Sequence, residues 1–198
     1  RVTVEVPANE ADTAYITAIA PRRNYMIRRA SNLSKESHIL AANIDLALLV
    51  VTIDFPVTTL TFIDRFLATA EAYAIPALLA FNKIDRYDAD ARRTLDEYVA
   101  LYTAIGYDCL PISALTGEGV DALTERLQGR ITLLSGHSGT GKSTLINALV
   151  PGAGRATGRV NEVTGRGRHT STSLQALELP DGGWVIDTPG VRSFGVAH

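Results

Sequence analysis

Five apolar runs recur along the chain, each closed by polar or turn-forming residues: 44–53, 76–81, 107–112, 130–135 and 184–186. Near-continuous apolar runs predict strands buried on both faces. Between them, residues 59–73, 89–105, 120–127 and 142–149 space their apolar positions as an amphipathic helix does. The alternation predicts a mostly parallel sheet covered by helices on both faces and wound with right-handed crossovers. One segment departs from it. Residues 173–179 alternate apolar with polar, and Pro180, Asp181, Gly182 and Gly183 then turn the chain into the run at Trp184, as a hairpin at a sheet edge would. Ahead of all this, residues 2–6 and 14–19 alternate with period two and lead into a basic stretch holding Arg22, Arg23, Arg28 and Arg29. This reads as the end of a small β module. The expected division is therefore residues 1–34 for a module remnant and linker, and 35–198 for the α/β domain.

Composition narrows the picture in three places. With 198 residues, 46% of them hydrophobic, the chain can build one full α/β core and a fragment beside it. Lys and Arg total 19 against 21 Asp and Glu, a net charge of -2, so no global positive field draws it to nucleic acid and any RNA contact must be local. The single cysteine, Cys109, excludes an intramolecular disulfide and reads as a core thiol. No apolar run reaches the ~20 residues that cross a bilayer, and the first residues lack a signal-peptide core, so the expectation is a cytoplasmic protein without membrane contact. An opening residue other than methionine is what a segment of a longer protein would show.

The chemistry is concentrated in loops after the strands. Gly136, His137, Ser138, Gly139, Thr140, Gly141, Lys142 and Ser143 form a G-x-x-x-x-G-K-S run between a predicted strand and the helix that Thr144 helps to open. In that setting the loop N–H groups turn inward around phosphates and the helix N-terminus adds its positive dipole end. Lys142 would reach the β/γ-oxygens and Ser143 would ligate Mg²⁺. His137 is assigned no chemistry of its own. Asn82, Lys83, Ile84 and Asp85 follow the strand at 76–81. Guanine offers adjacent N1–H and 2-amino donors that the Asp85 carboxylate can accept together, whereas adenine lacks that pair. Asn82 would bond the N7 side and tie this loop to the phosphate loop, with the Lys83 stem along the base. Ser113 and Ala114 follow the next strand, and the Ala114 N–H would meet guanine O6. Asp187, at the end of the last run, would hold Mg²⁺ through water, with the Gly190 N–H on the γ-phosphate. Residues 151–172 are too polar and glycine-rich to pack, and they end in Gly165-Arg-Gly-Arg-His169-Thr170. A threonine here would complete the Mg²⁺ shell, Thr170 first and Thr172 second. Val191 follows Gly190 and cannot orient an attacking water, so His169 becomes the nearest polar candidate.

The motifs run in an order that puts the base-reading residues ahead of the phosphate loop. With this order the sequence resembles the circularly permuted GTPases, and among them the RsgA/YjeQ (EngC) family. The resemblance rests on residues 41–45 (Ala-Ala-Asn-Ile-Asp), 82–85, 136–143, 165–170 and 187–191 (Asp-Thr-Pro-Gly-Val). It implies an α/β P-loop GTPase three-layer sandwich, circularly permuted and preceded by the end of an OB-fold-like module. It implies GTP hydrolysis stimulated by the small ribosomal subunit, with GTP or GDP, Mg²⁺ and ribosomal RNA as ligands. His169, Lys142 and Thr170 would be its catalytic residues, and Arg22, Arg23, Arg28 and Arg29 its RNA contacts, in a monomeric protein. The family's C-terminal zinc domain has no counterpart here, and zinc is assigned to no residue. Two other readings stay open: a permuted GTPase serving another ribosomal or RNA partner, and a GTP-dependent binding switch with negligible hydrolysis.

Overall fold

The structure is a computed structural model that describes residues 2–6, 13–29, 37–154 and 175–188. Its main body starts from β5 (Leu46–Val51), whose six residues are all buried. Side chains alternate across a strand, so Leu46, Leu48 and Val50 pack into one apolar layer and Ala47, Leu49 and Val51 into another. Beside β5 lie β6 (Ala77–Phe81) and β8 (Ile131–Ser135), both parallel to it. β7 (Asp108–Pro111) extends the sheet beyond β6, and β10 (Trp184–Asp187) extends it beyond β8. β9 (Gln175–Glu178) closes the far edge as the antiparallel partner of β10, giving the order β7-β6-β5-β8-β10-β9.

Helices fill both faces, as the alternation requires. α1 (Leu60–Ala72) and α2 (Ala89–Ile105) set Ile63, Phe66, Leu67, Leu95 and Tyr102 against the Leu49 layer. α3 (Val120–Leu127) and α4 (Lys142–Leu149) set Leu123, Leu127, Leu145 and Ile146 against the Leu48 layer. Local signals fix the helix ends. The Thr59 hydroxyl accepts from Phe62 N, and the Asp88 carboxylate accepts from the N–H groups of Asp90 and Ala91. Gly106 ends α2 at φ 108, the left-handed backbone that glycine adopts without strain.

β1 (Val2–Glu5) and β2 (Tyr15–Ile19) form a two-stranded antiparallel sheet with every residue exposed. In the basic stretch after it, β3 (Tyr25–Arg29) pairs antiparallel with β4 (Ser37–Ala42). Those two strands lie on either side of residue 34. Met26, only 1% exposed, joins the α1 side of the core, and the Tyr25 ring sits 5.7 Å from that of Tyr73. Asn24 closes the junction by exchanging two 2.8 Å hydrogen bonds with the backbone of Ile44. Cys109 is half-buried against the core, and burial raises its thiol pKa.

Asp45 joins this N-terminal hairpin to the strand that carries the phosphate loop. Its Oδ2 accepts from Ile131 N at 2.9 Å and its Oδ1 accepts from Arg23 Nη2 at 2.6 Å. Burial acts to raise its pKa, but the Ile131 N–H and the Arg23 guanidinium outweigh it and hold the carboxylate below its ordinary value. Asp45→Ala strands the Ile131 N–H and is expected to cost about 1–3 kcal/mol in denaturant unfolding at pH 7. Arg23→Ala, with a side chain 63% exposed, should cost less than about 1 kcal/mol. Since the folded pKa is depressed, the Asp45 contribution is complete above the unfolded value of 3.8 and fades as pH falls below it.

Candidate functional site

Parallel strands deliver their following loops to one edge of the sheet, and ligands of such sheets bind in the crevice there. Here the loops after β5, β6, β7, β8 and β10 all meet at that edge, and the loop after β8 is the phosphate loop. Gly141 takes φ +94 as it opens α4, and a Cβ there would run into Asn82 Nδ2. That close approach exists because Asn82 holds two loops at once. Its Nδ2 donates to Thr140 O at 2.8 Å, and its Oδ1 accepts from Ala114 N at 2.9 Å. Asn82 is only 2% exposed, so neither bond competes with water. The expected tie between Asn82 and the phosphate loop is therefore present. The Ala114 N–H, expected to face a base, is given to Asn82.

Beside this clasp, Ser113 Oγ donates to Asp85 Oδ1 at 2.5 Å and accepts from Thr116 N at 3.1 Å. The carboxylate is thus aimed by a hydroxyl that is itself aimed. A cavity of about 140 Å³ opens between Asn82, Lys83, Asp85, Ala114, Leu115 and Thr144. Leu115 is 75% exposed and carries an apolar surface to the mouth of that cavity. The sequence singled out Asp85 and Ala114 but gave Leu115 no role.

Both lysines cap backbone carbonyls. Lys142 Nζ donates to Gly136 O at 2.5 Å and His137 O at 3.0 Å, and burial lowers its pKa against the opposing pull of Asp187. Lys83, in the left-handed region at φ 71, donates from Nζ to Phe55 O at 2.5 Å and Gly139 O at 2.6 Å. Burial and the neighbouring Arg86 charge lower its pKa.

Phe55 belongs to a third wall that no motif announced, the loop between β5 and α1. The Arg86 guanidinium stacks 4.5 Å above the Phe55 ring. Thr58 is buried; its Oγ1 accepts from Thr52 N at 3.0 Å and meets His137 Nε2 at 2.8 Å. Ser138 O can only accept, so Nδ1 donates to it at 3.1 Å, and in the neutral ring Nε2 accepts from the Thr58 hydroxyl. Burial, with the nearby Lys142 and Lys83 charges, lowers the His137 pKa from its ordinary value and so favours the neutral ring. His137 therefore braces the phosphate loop against the β5 loop.

At the other end of the crevice, Thr188 Oγ1 donates to Leu134 O at 2.8 Å, which fastens the Asp187 loop to the strand leading into the phosphate loop. Ser143 is exposed at the first turn of α4 and Gly136 is buried where β8 ends. Arg22 is exposed, Arg23 is paired with Asp45, and Arg28 and Arg29 lie on β3. His169, Thr170, Thr172, Gly190 and Val191 lie outside the described residues.

Comparison with known proteins gives a consistent answer. The RsgA GTPase family matches residues 19–197. A Bacteroides fragilis protein named small ribosomal subunit biogenesis GTPase RsgA is 56% identical over 192 residues, 97% of this chain and 62% of its own. A Porphyromonas gingivalis protein of the same name is 57% identical, covering 98% of this chain and 63% of its own. The chain thus spans just over three-fifths of the length of these curated relatives. The crystal structure of YjeQ from Thermotoga maritima superposes with a TM-score of 0.71 at 34% identity, over 92% of this chain and 57% of that one. YloQ, described as a circularly permuted GTPase, shares the fold at a TM-score of 0.68 and 23% identity, over 98% of this chain and 57% of its own.

The closest steric constraint yields a test. Gly141→Ala places a methyl group against the Asn82 amide on a backbone that side chains rarely adopt. It should separate the two loops and weaken nucleotide binding at least about tenfold in calorimetric titration, while the far-ultraviolet circular dichroism stays that of the wild type.

Proposed function

This chain belongs to the RsgA GTPase family, and from that premise we propose that it binds guanine nucleotides in the crevice at the carboxyl edge of its sheet and hydrolyses GTP as a maturation factor of the small ribosomal subunit. The observation that carries the reading is the Asn82 clasp, which ties the phosphate loop and the Ala114 loop together beside the cavity that Asp85 lines.

The base enters that cavity. Asp85 keeps lone pairs beyond the one given to Ser113, so it can accept guanine N1–H and the 2-amino group together. The second Nδ2 hydrogen of Asn82 serves N7, and the Ala114 N–H serves O6 through a three-centre bond shared with Asn82 Oδ1. The Lys83 stem and Leu115 cover the two faces of the base. Phosphates lie in the loop 136–141, where Lys142 turns from its carbonyl partners toward the β/γ-oxygens. Ser143 and Asp187 are the hard oxygen donors that suit Mg²⁺, joined by Thr170 of the first switch. Held there, Mg²⁺ would supply positive charge against the phosphates.

Hydrolysis is an in-line attack of water on the γ-phosphate, with Lys142, the Gly190 N–H and the loop N–H groups stabilising the spread charge. Val191 cannot hold the water, so His169 does. The sequence 151–172 is rich in glycine and arginine; ordering a chain of that composition costs about 1–2 kcal/mol per residue, and an external surface is proposed to offset that cost. Arg22, Arg28 and Arg29 are the residues proposed to meet ribosomal RNA, with Arg23 engaged in the fold by its pairing with Asp45. The border between an RNA-binding module and the GTPase domain is proposed near residue 34, with the β3–β4 pairing spanning it. No helix among the described residues is long and apolar enough to cross a membrane. The proposed ribosomal partner places the protein in the cytoplasm, and a monomer is proposed.

Single-turnover GTP hydrolysis by the intact protein tests the reading. It should be slow alone, rise with small ribosomal subunits, and rise far less with large ones. His169→Ala should lower the stimulated rate about 10²-fold with GTP affinity nearly intact, since the side chain acts in the transition state. Equal stimulation by both subunits would point to a different RNA partner, and no hydrolysis under any condition would leave a binding switch.

A further inference from the structure

Tyr87 lies two residues beyond Asp85, is 6% exposed, and takes no part in the site described above. Its hydroxyl group is bonded at both ends. It donates to Asn82 O at 2.5 Å and accepts from Ile53 N at 2.8 Å. Each partner is a backbone group that has just left a strand. Asn82 N still bonds Val51 O across the two strands, but Lys83 then turns into the left-handed region and takes the chain out of the sheet. Ile53 lies two residues past the end of β5. The β5–β6 ladder ends at Val51 and Phe81, which leaves both groups beyond it in a buried place. One phenol oxygen serves both.

Tyr87 is itself held. Arg92 donates from Nε to Tyr87 O at 3.3 Å and from Nη2 to Ile84 O at 3.2 Å, which fastens the turn 84–86 to the start of α2. Burial pushes the phenol pKa up to about 12, so it remains a neutral donor throughout the physiological range. The residue it holds is the one whose side chain sets the spacing between the phosphate loop and the Ala114 loop. Ile53 begins the loop that carries Phe55 O to Lys83 and Thr58 to His137.

We propose that Tyr87 is a positioning residue for guanine recognition: its hydroxyl ties the carboxyl ends of β5 and β6 together and so holds Asn82 where it clasps the base-reading and phosphate loops. The inference rests on the reading of the crevice as a guanine-nucleotide site. Tyr87 touches neither base nor phosphate. Its removal should therefore blur the base-reading geometry and leave the phosphate chemistry alone.

The test is Tyr87→Phe, which keeps the ring and removes only the oxygen. In the intact protein, competition against a fluorescent guanine nucleotide gives the affinities for GDP and ADP. GDP should weaken about tenfold, as expected for loss of one hydroxyl bonded at both ends. ADP, which engages the phosphate loop without Asp85, should weaken far less, so the GDP-to-ADP preference falls. The single-turnover rate constant at saturating GTP should be unchanged. A lowered melting temperature with the preference intact would make Tyr87 a packing residue and overturn the proposal. Wild-type protein without any preference for GDP would overturn the nucleotide reading itself, and the inference with it. Should the variant fold poorly, hydrogen exchange on the wild type decides. The Ile53 amide should be strongly protected despite lying outside β5, and more so with GDP; exchange at the rate of a free amide would contradict the proposed bond.

Discussion

A carboxamide offers one acceptor and two donors, and Asn82 spends them at the one point where the site could come apart. Its acceptor takes the Ala114 N–H and one donor takes Thr140 O, so loops that follow β6, β7 and β8 are pinned to one another through a single buried side chain. Remove that amide and a buried N–H and a buried C=O lose their partners together, which costs more than the two bonds contribute while present. Every other feature of the crevice presupposes this clasp. The cavity between Asp85 and Thr144 has a fixed width, Gly141 must lack a side chain, and Ser113 can aim the Asp85 carboxylate because the loop bearing it is already held.

Such a clasp is possible because the sheet ignores the order of the chain. Asn82 precedes Thr140 by 58 positions, yet β5 lies between β6 and β8 and is parallel to both. Loops that leave the carboxyl ends of parallel strands emerge on one edge whatever the sequence in which the strands are made. Cutting and rejoining a domain between strands therefore leaves the pocket geometry intact. The Asp187 loop is reached last in the chain and still meets the strand before the phosphate loop through Thr188 and Leu134.

Much of this was legible in the residues. Helices α2, α3 and α4 fall on the predicted residues because Asp88, Gly106, Gly119 and Gly141 mark their ends. The central strands were legible because a strand buried on both faces has nowhere to place a polar residue. The β3–β4 pairing was not, since arginines in β3 masked its apolar Met26 and its partner lies beyond a gap of several residues. The brace formed by Phe55, Thr58, His137 and Tyr87 was hidden for another reason. Apart from the Thr58–His137 contact, its bonds run to backbone carbonyls and amides, which no motif spells. The same holds for Ala114, whose N–H was expected to face a base and is engaged by Asn82. His169 and Thr170 lie outside the described residues, and their roles rest on sequence and family alone.

The central claim is that the crevice is built to hold a guanine nucleotide with its base against Asp85 and its phosphates against Lys142. A crystal structure of the intact protein with GDP and Mg²⁺ addresses it directly. The account predicts the base between the Lys83 stem and Leu115, N1–H and the 2-amino group on the Asp85 carboxylate, the Asn82 clasp unchanged, and Lys142 Nζ moved from the carbonyls of Gly136 and His137 onto the β-phosphate. A base bound elsewhere, or a clasp that opens to admit it while Lys142 stays on the loop carbonyls, would contradict it.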